Sequence, residues 1–199
     1  VDLLEFFYLT PLPGSEDHRR LHEAGIAMDP DMNKYDLNHV TTAHPRMSHD
    51  DWERVYRDAW NTYYSDEHVE TIFRRAVACR ASAGKALFFV AWFKGCFDIE
   101  KIHPLEGGFL RLKFRRDRRS GRPIEPAIAF YPKYAVETVG KLLRWASLYV
   151  GLRIIYRRVR RDPLRQEYTD SALAPLRDDQ DEFNELLQPA AAGQLYRLP

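Results

Sequence analysis

The 199-residue chain contains only two cysteines, Cys79 and Cys96, which lie in separate apolar stretches. Two isolated cysteines exclude a disulfide framework and do not form the paired motif of a zinc site. We therefore expect two buried, reduced thiols and a cytoplasmic protein. Long hydrophobic runs are also missing: the longest charge-free apolar runs, at 86–93 and 145–152, have 8 residues each. A membrane-spanning helix needs about 20, so none is predicted.

Motifs of common catalytic and metal centres are absent as well. The chain has no P-loop, no dinucleotide-binding fingerprint and no arrangement typical of a Ser-His-Asp triad. His18 and His22 have helical spacing but lack a third ligand, and His39, His44 and His49 follow neither a helical nor a strand period. We predict no catalytic residue and no metal ligand in this chain.

Charge is distributed unevenly, although the net charge is only +1. Lys and Arg number 6 against 15 Asp and Glu in residues 1–70, 22 against 7 in residues 71–165, and 2 against 7 in residues 166–199. A basic middle between acidic ends is explained either by ion pairs within the protein or by an anionic partner for the middle. Both explanations stay open.

The first apolar segment, Leu3–Leu9, is interrupted only by Glu5. Such a run is typical of a parallel strand that is covered on both faces. The sequence TPLPG ends the strand, and Ser15 then caps a short helix that closes at Gly25. A strand, a turn and one helix cannot bury themselves. We therefore expect the neighbouring strands to lie upstream of residue 1, outside this chain.

The rest of the chain is predicted to be mostly helical. Helices are expected from Ser48, from Asp66, from Ala83 to about Phe97, and after residues 129–137 up to Arg161. Short strands are expected around residues 38–42 and within residues 106–114. Four regions follow: the strand, turn, helix and loop of 1–47, the helices of 48–98, the basic strand, turn and long helix of 99–165, and the acidic, loosely ordered tail of 166–199.

The long helix predicted to end at Arg161 is amphipathic and basic. Its apolar stripe consists of Trp145, Leu148, Leu152, Ile155 and Val159, and its end carries the arginines Arg153, Arg157, Arg158, Arg160 and Arg161. A helix of this kind can bind an anionic membrane surface or an acidic protein. Alternatively, the stripe faces the core and the arginines stabilise the negative end of the helix. Nucleic acid is disfavoured because the aromatic residues are spaced for burial and not for stacking bases.

Residues 3–75 carry several motifs in succession. They are Thr10-Pro11-Leu12-Pro13-Gly14-Ser15, then Tyr35-Asp36 with His39, then Met47-Ser48 with Trp52, Tyr56 and Ala59, and finally Tyr63-Tyr64-Ser65. This succession resembles the C-terminal part of radical SAM enzymes, particularly those with an N-terminal cobalamin-binding domain. Residues 76–199 match no general feature of that family.

The resemblance implies a mainly α fold with a few short strands, in which the terminal βα element of a partial (β/α) barrel is followed by a helical C-terminal extension. It implies an enzyme that cleaves S-adenosylmethionine reductively at a [4Fe–4S] cluster and modifies or methylates a hydrophobic substrate by radical chemistry, with cobalamin as a further cofactor. Thr10, Pro11 and Leu12 would then contact the adenine of S-adenosylmethionine.

The chain departs from the family because it has no CxxxCxxC motif. We therefore expect that it neither holds the cluster nor catalyses the reaction alone. Its expected partners are the barrel and the cobalamin domain of the same protein. The alternative is a helical module that binds an anionic membrane surface, through Arg153, Arg157, Arg158, Arg160 and Arg161, or an acidic protein. A cytoplasmic location, with peripheral attachment at the inner face of the membrane, suits both.

Overall fold

The structure is a computed structural model that describes residues 3–118 and 121–174. The chain divides into a first compact unit, residues 1–168, and a second unit, residues 169–199. In the described part of the second unit, the Asp170 carboxylate accepts hydrogen bonds from the amides of Ala172 and Leu173 in a short turn. The predicted loose tail lies mostly outside the described residues.

The first unit is mainly helical, as predicted. The α-helices of the described residues are α1 (Glu16–Glu23), α2 (His49–Tyr63), α3 (Asp66–Ala78), α4 (Ala83–Gly95) and α5 (Ala127–Arg161). Short 3-10 turns occur at Met32–Lys34 and Pro104–Glu106. No helix in this part of the chain combines the length and hydropathy needed to cross a membrane.

Serine side chains begin four of these helices. Ser15, Ser48, Ser65 and Ser82 each accept a hydrogen bond from the backbone amide three residues later. Each bond satisfies an amide that the helix leaves without an intrahelical partner. The predicted caps at Ser15 and Ser48 are confirmed, and so is the end of α1 at Gly25, whose φ of +68° is left-handed.

The core of the first unit is formed by α2, α3, α4 and the C-terminal half of α5. α3 contributes Val69, Ile72 and Phe73, all completely buried, and α5 contributes Leu152 and Val159. The predicted apolar stripe of the long helix therefore faces the core. Its members Leu152, Ile155 and Val159 are buried and Trp145 and Leu148 are half-buried, which bears out the core-facing alternative for this stripe.

Trp60 of α2 is the centre of an aromatic cluster on the N-terminal side of the core. Its side chain is 1% exposed, and its ring stacks on Tyr64 and on Phe97 at centroid distances of 5.5 and 5.0 Å. Phe6 meets the Trp60 ring edge to face at 5.5 Å. The N-terminal segment is thus fixed to α2 by ring packing, which is stronger than its area alone implies.

α4 continues beyond Gly95 as a π-helical turn, Cys96–Glu100. Gly95 lies so close to α5 that a Cβ atom at this position would be 2.1 Å from the Trp145 ring. Glycine is therefore required for this helix contact. The carboxylate of Glu100, fully buried, accepts hydrogen bonds from Lys141 Nζ and Trp145 Nε1 at 2.6 and 2.9 Å. These bonds fix the π turn to α5.

The short strands predicted at 38–42 and 106–114 are not formed. Residues 38–42 contribute only an isolated antiparallel bridge between Met28 and Thr42. The second stretch begins in a 3-10 turn and continues as irregular chain, because Gly107, Gly108 and Leu110 have φ values of +56°, +131° and +52°. Positive φ values are incompatible with a strand.

Leu3–Leu9 forms no β-ladder, since no strand in the described part of the chain lies beside it. Its side chains nevertheless alternate as in a strand. Tyr8 is 4% exposed and stacks on Tyr56 at 4.1 Å, whereas Phe7 and Leu9 are 44% and 79% exposed. Of the two faces expected to be covered, this chain covers one with α2 and the other only in part, where Leu3 packs against the core and Phe7 stacks on His103.

The long helix begins earlier than predicted, at Ala127, and includes Pro132. Pro132 lies in the second turn, where a proline removes one backbone hydrogen bond and crowds the preceding turn, so other contacts must offset its cost. Within the helix, Phe130 is buried and stacks on Tyr134, one turn later, with centroids 5.9 Å apart. The contact that reaches outside the helix is the ion pair of Glu137 with Lys113 at 2.6 Å.

Candidate functional site

The backbone of Leu3–Leu9 has one bonded edge and one open edge. Even-numbered residues form hydrogen bonds along one edge. The Leu4 carbonyl accepts from the Tyr64 hydroxyl at 2.7 Å, and the Phe6 carbonyl accepts from His103 Nε2 at 3.1 Å. The Tyr8 amide donates to the Leu37 carbonyl at 3.2 Å. The amides and carbonyls of Leu3, Glu5, Phe7 and Leu9 bond to no described residue. In an extended chain, the backbone N–H and C=O groups of successive residues point to opposite edges. The edge formed by the odd-numbered residues is therefore open.

The predicted adenine-contacting residues follow directly after this segment. The Thr10 hydroxyl donates to the Tyr8 carbonyl at 3.2 Å, Pro11 is buried and Leu12 is 48% exposed. The Leu12 carbonyl accepts from the Ser15 amide at 2.9 Å across a turn in which Gly14 has a φ of +87°. Glycine suits this position because other residues are strained there. Leu12 is thus the member of the three whose side chain is open to a ligand.

The loop that carries Tyr35, Asp36 and His39 is fastened to α2 and, through the Leu37 carbonyl, to the Tyr8 amide of the N-terminal segment. The Asp36 carboxylate lies 2.8 Å from His39 Nδ1, and the Tyr35 hydroxyl donates to the Asp29 carbonyl at 2.9 Å. The Tyr56 hydroxyl donates to Asn38 Oδ1 at 2.8 Å. These motif residues therefore hold the loop in place.

Glu106 adds a second carboxyl group to the Asp36–His39 pair. Burial raises the pKa of Glu106, and the negative charge of Asp36 acts in the same direction, while Arg111 and His39 oppose both. The Glu106 carboxylate lies 3.9 Å from the guanidinium of Arg111. Sequence reasoning missed Glu106, which lies 70 positions after Asp36 and is brought to it only by the fold.

His103 is the buried residue that joins this region to the N-terminal segment. It is 1% exposed and stacks on Phe7 at 4.4 Å. Its Nδ1 accepts from the Leu105 amide at 3.2 Å, so Nε2 carries the proton that is donated to the Phe6 carbonyl. Burial lowers the pKa of His103, and the ring is neutral. No local pattern in the sequence singles out this residue.

The histidines at the predicted loop positions do not converge on one point. His39 binds Asp36, His44 packs on Trp52 with ring centroids 5.0 Å apart, and His49 lies 3.3 Å from Glu53. His44 and His49 line a cavity of about 350 Å³. Within the described residues, no group of three His, Cys, Asp or Glu side chains has the geometry of a metal site.

The two cysteines differ, which corrects the expectation that both are buried. Cys96 is buried and Cys79 is exposed, because Cys79 follows the last turn of α3. Burial, with a smaller contribution from Glu100, raises the pKa of Cys96 to about 11. Two separate thiols do not fit a [4Fe–4S] cluster, which needs several thiolates around one point.

The predicted arginine cluster at the end of α5 has two kinds of member. Arg158 binds Glu70 at 3.2 Å, and Arg153 lies over the Tyr156 ring at 5.1 Å. Arg157, Arg160 and Arg161 are exposed and form no ion pair with any described residue. Arg157 and Arg161 line a groove of about 650 Å³ together with Arg74 and Arg158.

Comparison with known proteins adds no assignment: no protein-family model matches the chain, and no curated protein or solved structure is significantly similar to it.

Proposed function

We propose that this chain supplies the last strand and the C-terminal helices of a radical SAM enzyme. The observation that carries the proposal is the half-covered segment Leu3–Leu9. One face packs on α2 through Phe6 and Tyr8. The opposite face is covered only in part, since Phe7 stacks on His103 but is 44% exposed and Leu9 is 79% exposed. One backbone edge is open. In a barrel, the outer face of each strand packs on helices and the inner face fills the barrel core beneath the site. Phe7 and Leu9 have the position of inner-face residues.

The sequence motifs support the same placement. The TPLPG turn lies where the strand would end. The motif residues Tyr35, Asp36 and His39 lie in a loop whose Leu37 carbonyl accepts a hydrogen bond from the Tyr8 amide, two residues before that turn. Catalytic and binding groups of parallel barrels gather at the carboxyl ends of the strands. Leu12, exposed at this end, would contact the adenine of S-adenosylmethionine, while the Thr10 hydroxyl is engaged by the Tyr8 carbonyl and Pro11 is buried.

The iron–sulfur cluster does not fit the residues of this chain. The chain has two cysteines, of which Cys79 is exposed and Cys96 is buried, and a [4Fe–4S] cluster is held by several cysteine thiolates. Within the proposal, the cluster and cobalamin are therefore bound by the barrel and cobalamin domain of the same protein. The part played by this chain is to close the barrel and to form one wall of the site.

The experiment is an assay of the protein encoded by the complete reading frame that contains this chain, purified without oxygen. We expect iron and sulfide to be bound by a CxxxCxxC motif upstream, and S-adenosylmethionine with a strong reductant to give 5′-deoxyadenosine. Absence of the motif from the reading frame, or of 5′-deoxyadenosine from an iron-loaded protein, would falsify the proposal.

A variant tests the wall of the site separately. Leu12→Glu places a charge beside the adenine, and we expect the KM for S-adenosylmethionine to rise at least about tenfold at unchanged iron content. Met32→Glu, an exposed apolar residue of the neighbouring 3-10 turn, is the matched control. Equal KM values for the two variants would remove Leu12 from the site.

A further inference from the structure

α5 carries a second apolar stripe, on the side of the helix opposite to its core-facing stripe. Its residues recur every three or four positions and are all exposed: Ile128, Pro132, Val136, Val139, Leu143, Ala146, Val150 and Ile154. Ile128, Val136 and Leu143 are 87%, 74% and 67% exposed. This stripe is named the open face. At 1.5 Å per residue it is roughly 40 Å long, a larger apolar surface than a monomer usually leaves uncovered.

Aromatic residues of α4 extend the open face sideways. Phe88 and Phe89 are 62% and 41% exposed. Between α4 and α5 lies an apolar groove of about 620 Å³, lined in part by Phe88, Trp92 and Tyr149. Aromatic residues at the border of an apolar surface are typical of helices that lie at the interface of a membrane.

The positive charge of α5 indicates an anionic partner. The helix has eight Lys and Arg residues and a single acid, Glu137, which is half-buried and bound to Lys113 and Lys141. The spacing of the open face continues beyond Ile154 to Arg157 and Arg161, which form no ion pair with described residues. The surface is therefore apolar over its length and cationic at its end.

A second copy of the chain is a poor occupant of this surface. In a parallel pair of α5 helices, Arg157 and Arg161 of one copy would face the same residues of the other. In an antiparallel pair they would approach the basic stretch 111–118, which lies beside the first turns of α5 through the Lys113–Glu137 and Arg118–Glu125 ion pairs. Both arrangements bring like charges together.

An anionic phospholipid layer matches both parts of the surface, because it offers an apolar interior directly beneath a layer of phosphates. We propose that α5 docks on an anionic lipid surface, with the open face in the acyl boundary and Arg157 and Arg161 at the phosphates. The docking surface is separate from the edge of Leu3–Leu9, so this interaction does not depend on the proposed enzymatic reaction.

The experiment is flotation of the 199-residue chain with vesicles of phosphatidylcholine alone and of phosphatidylcholine mixed with phosphatidylglycerol. We expect binding to the anionic vesicles that weakens with salt, and little binding to the neutral ones. Binding to neither, or equal and salt-independent binding to both, overturns the proposal.

Paired variants locate the contact. Arg157→Gln with Arg161→Gln should weaken vesicle binding by roughly thirtyfold, at about 1 kcal/mol for each arginine. Arg54→Gln with Arg57→Gln, on the exposed side of α2, removes the same charge and should change binding little. Val139→Gln with Leu143→Gln should weaken binding roughly tenfold or more, in contrast to Ile26→Gln with Met32→Gln. If a double variant of α5 and its control weaken vesicle binding equally, the open face and its two arginines are not the lipid contact.

A fluorescent label distinguishes lipid from a second copy. An environment-sensitive dye at Leu143→Cys, in a Cys79→Ser background, should shift to the blue on anionic vesicles, and the same dye on native Cys79 should not. A blue shift that appears without vesicles and grows with protein concentration shows that a second copy covers the open face. Burial of the dye only when an acidic protein is added identifies a protein partner. Either result overturns the proposal.

Discussion

Two apolar surfaces of this protein, one aromatic and one aliphatic, differ in how far they are exposed. The aromatic cluster around Trp60 is closed by the N-terminal segment, so that Trp60 and Tyr64 are 1% and 2% exposed. The open face of α5 has the same helical periodicity, yet its residues Ile128 and Val136 are 87% and 74% exposed. Helical periodicity in the sequence therefore identifies apolar helix faces that favour burial. Only the fold shows which of these faces are buried within the chain.

The largest loss of stability is expected from a change in the buried aromatic cluster around Trp60. Trp60→Ala removes a completely enclosed indole and leaves a cavity among Phe6, Tyr64 and Phe97. We expect the free energy of unfolding to fall by about 3–5 kcal/mol, measured by urea denaturation. A loss under about 1 kcal/mol would mean that the cluster is not closed.

A smaller loss of stability is expected from a change at the contact of α4 with α5. Gly95→Ala would put a methyl group 2.1 Å from the Trp145 ring, and we expect a loss of about 1–3 kcal/mol from overpacking, measured by thermal or urea unfolding. Gly84→Ala on the same helix is the control. It has nothing within 4 Å, so the better helix propensity of alanine should leave stability unchanged or raise it by up to about 1 kcal/mol. Similar results for both positions would contradict the close approach.

The buried His103 predicts a pH dependence of stability. Burial lowers its pKa in the folded state from the ordinary value of 6.5, so on acidification the unfolded chain takes up a proton first. The stabilising contribution is complete above about pH 6.5 and is lost as the pH falls below that value. We expect the urea midpoint to fall between about pH 7 and pH 5.5, and to fall less in His103→Gln.

The control for this measurement is His22→Gln, a change of an exposed histidine on α1. It should retain the pH dependence of the unaltered chain. If His103→Gln retains it as well, the titration arises elsewhere.

The smallest change in stability is expected from a substitution on the open face. Leu143→Gln changes a side chain that is 67% exposed, and the free energy of unfolding should change by less than about 0.5 kcal/mol in urea denaturation. A loss comparable to that of Trp60→Ala would show that this face is covered by the chain, and the contrast between the two surfaces would disappear.

The helices and their caps were predictable because their signals are local. Ser15 and Ser48 lie directly before acidic first turns, and their cap hydrogen bonds span only three residues. The start of α5 at Ala127, before Pro132, was not predicted. The ion pair of Glu137 with Lys113 helps to hold these turns, and its partners are 24 positions apart and leave no local signal.

The parts that failed depend on distant residues. A strand requires a partner, and neither 38–42 nor 106–114 finds one, since the positive φ values at Gly107, Gly108 and Leu110 bend the second stretch. His103 and Glu106 join the candidate site only because α4 and its π turn bring them beside Phe6 and Asp36. Such pairings, separated by up to 97 positions, leave no local pattern in the sequence.

The proposed function depends on the extended segment Leu3–Leu9, whose open backbone edge would pair with a larger sheet. Hydrogen exchange of its backbone amides tests this directly, in the 199-residue chain and in the protein of the complete reading frame. In the chain, the Tyr8 amide, which is bonded to Leu37, should be protected while the amides of Glu5, Phe7 and Leu9 exchange rapidly. In the longer protein all four should be protected. Rapid exchange of Phe7 and Leu9 in both proteins would contradict the claim.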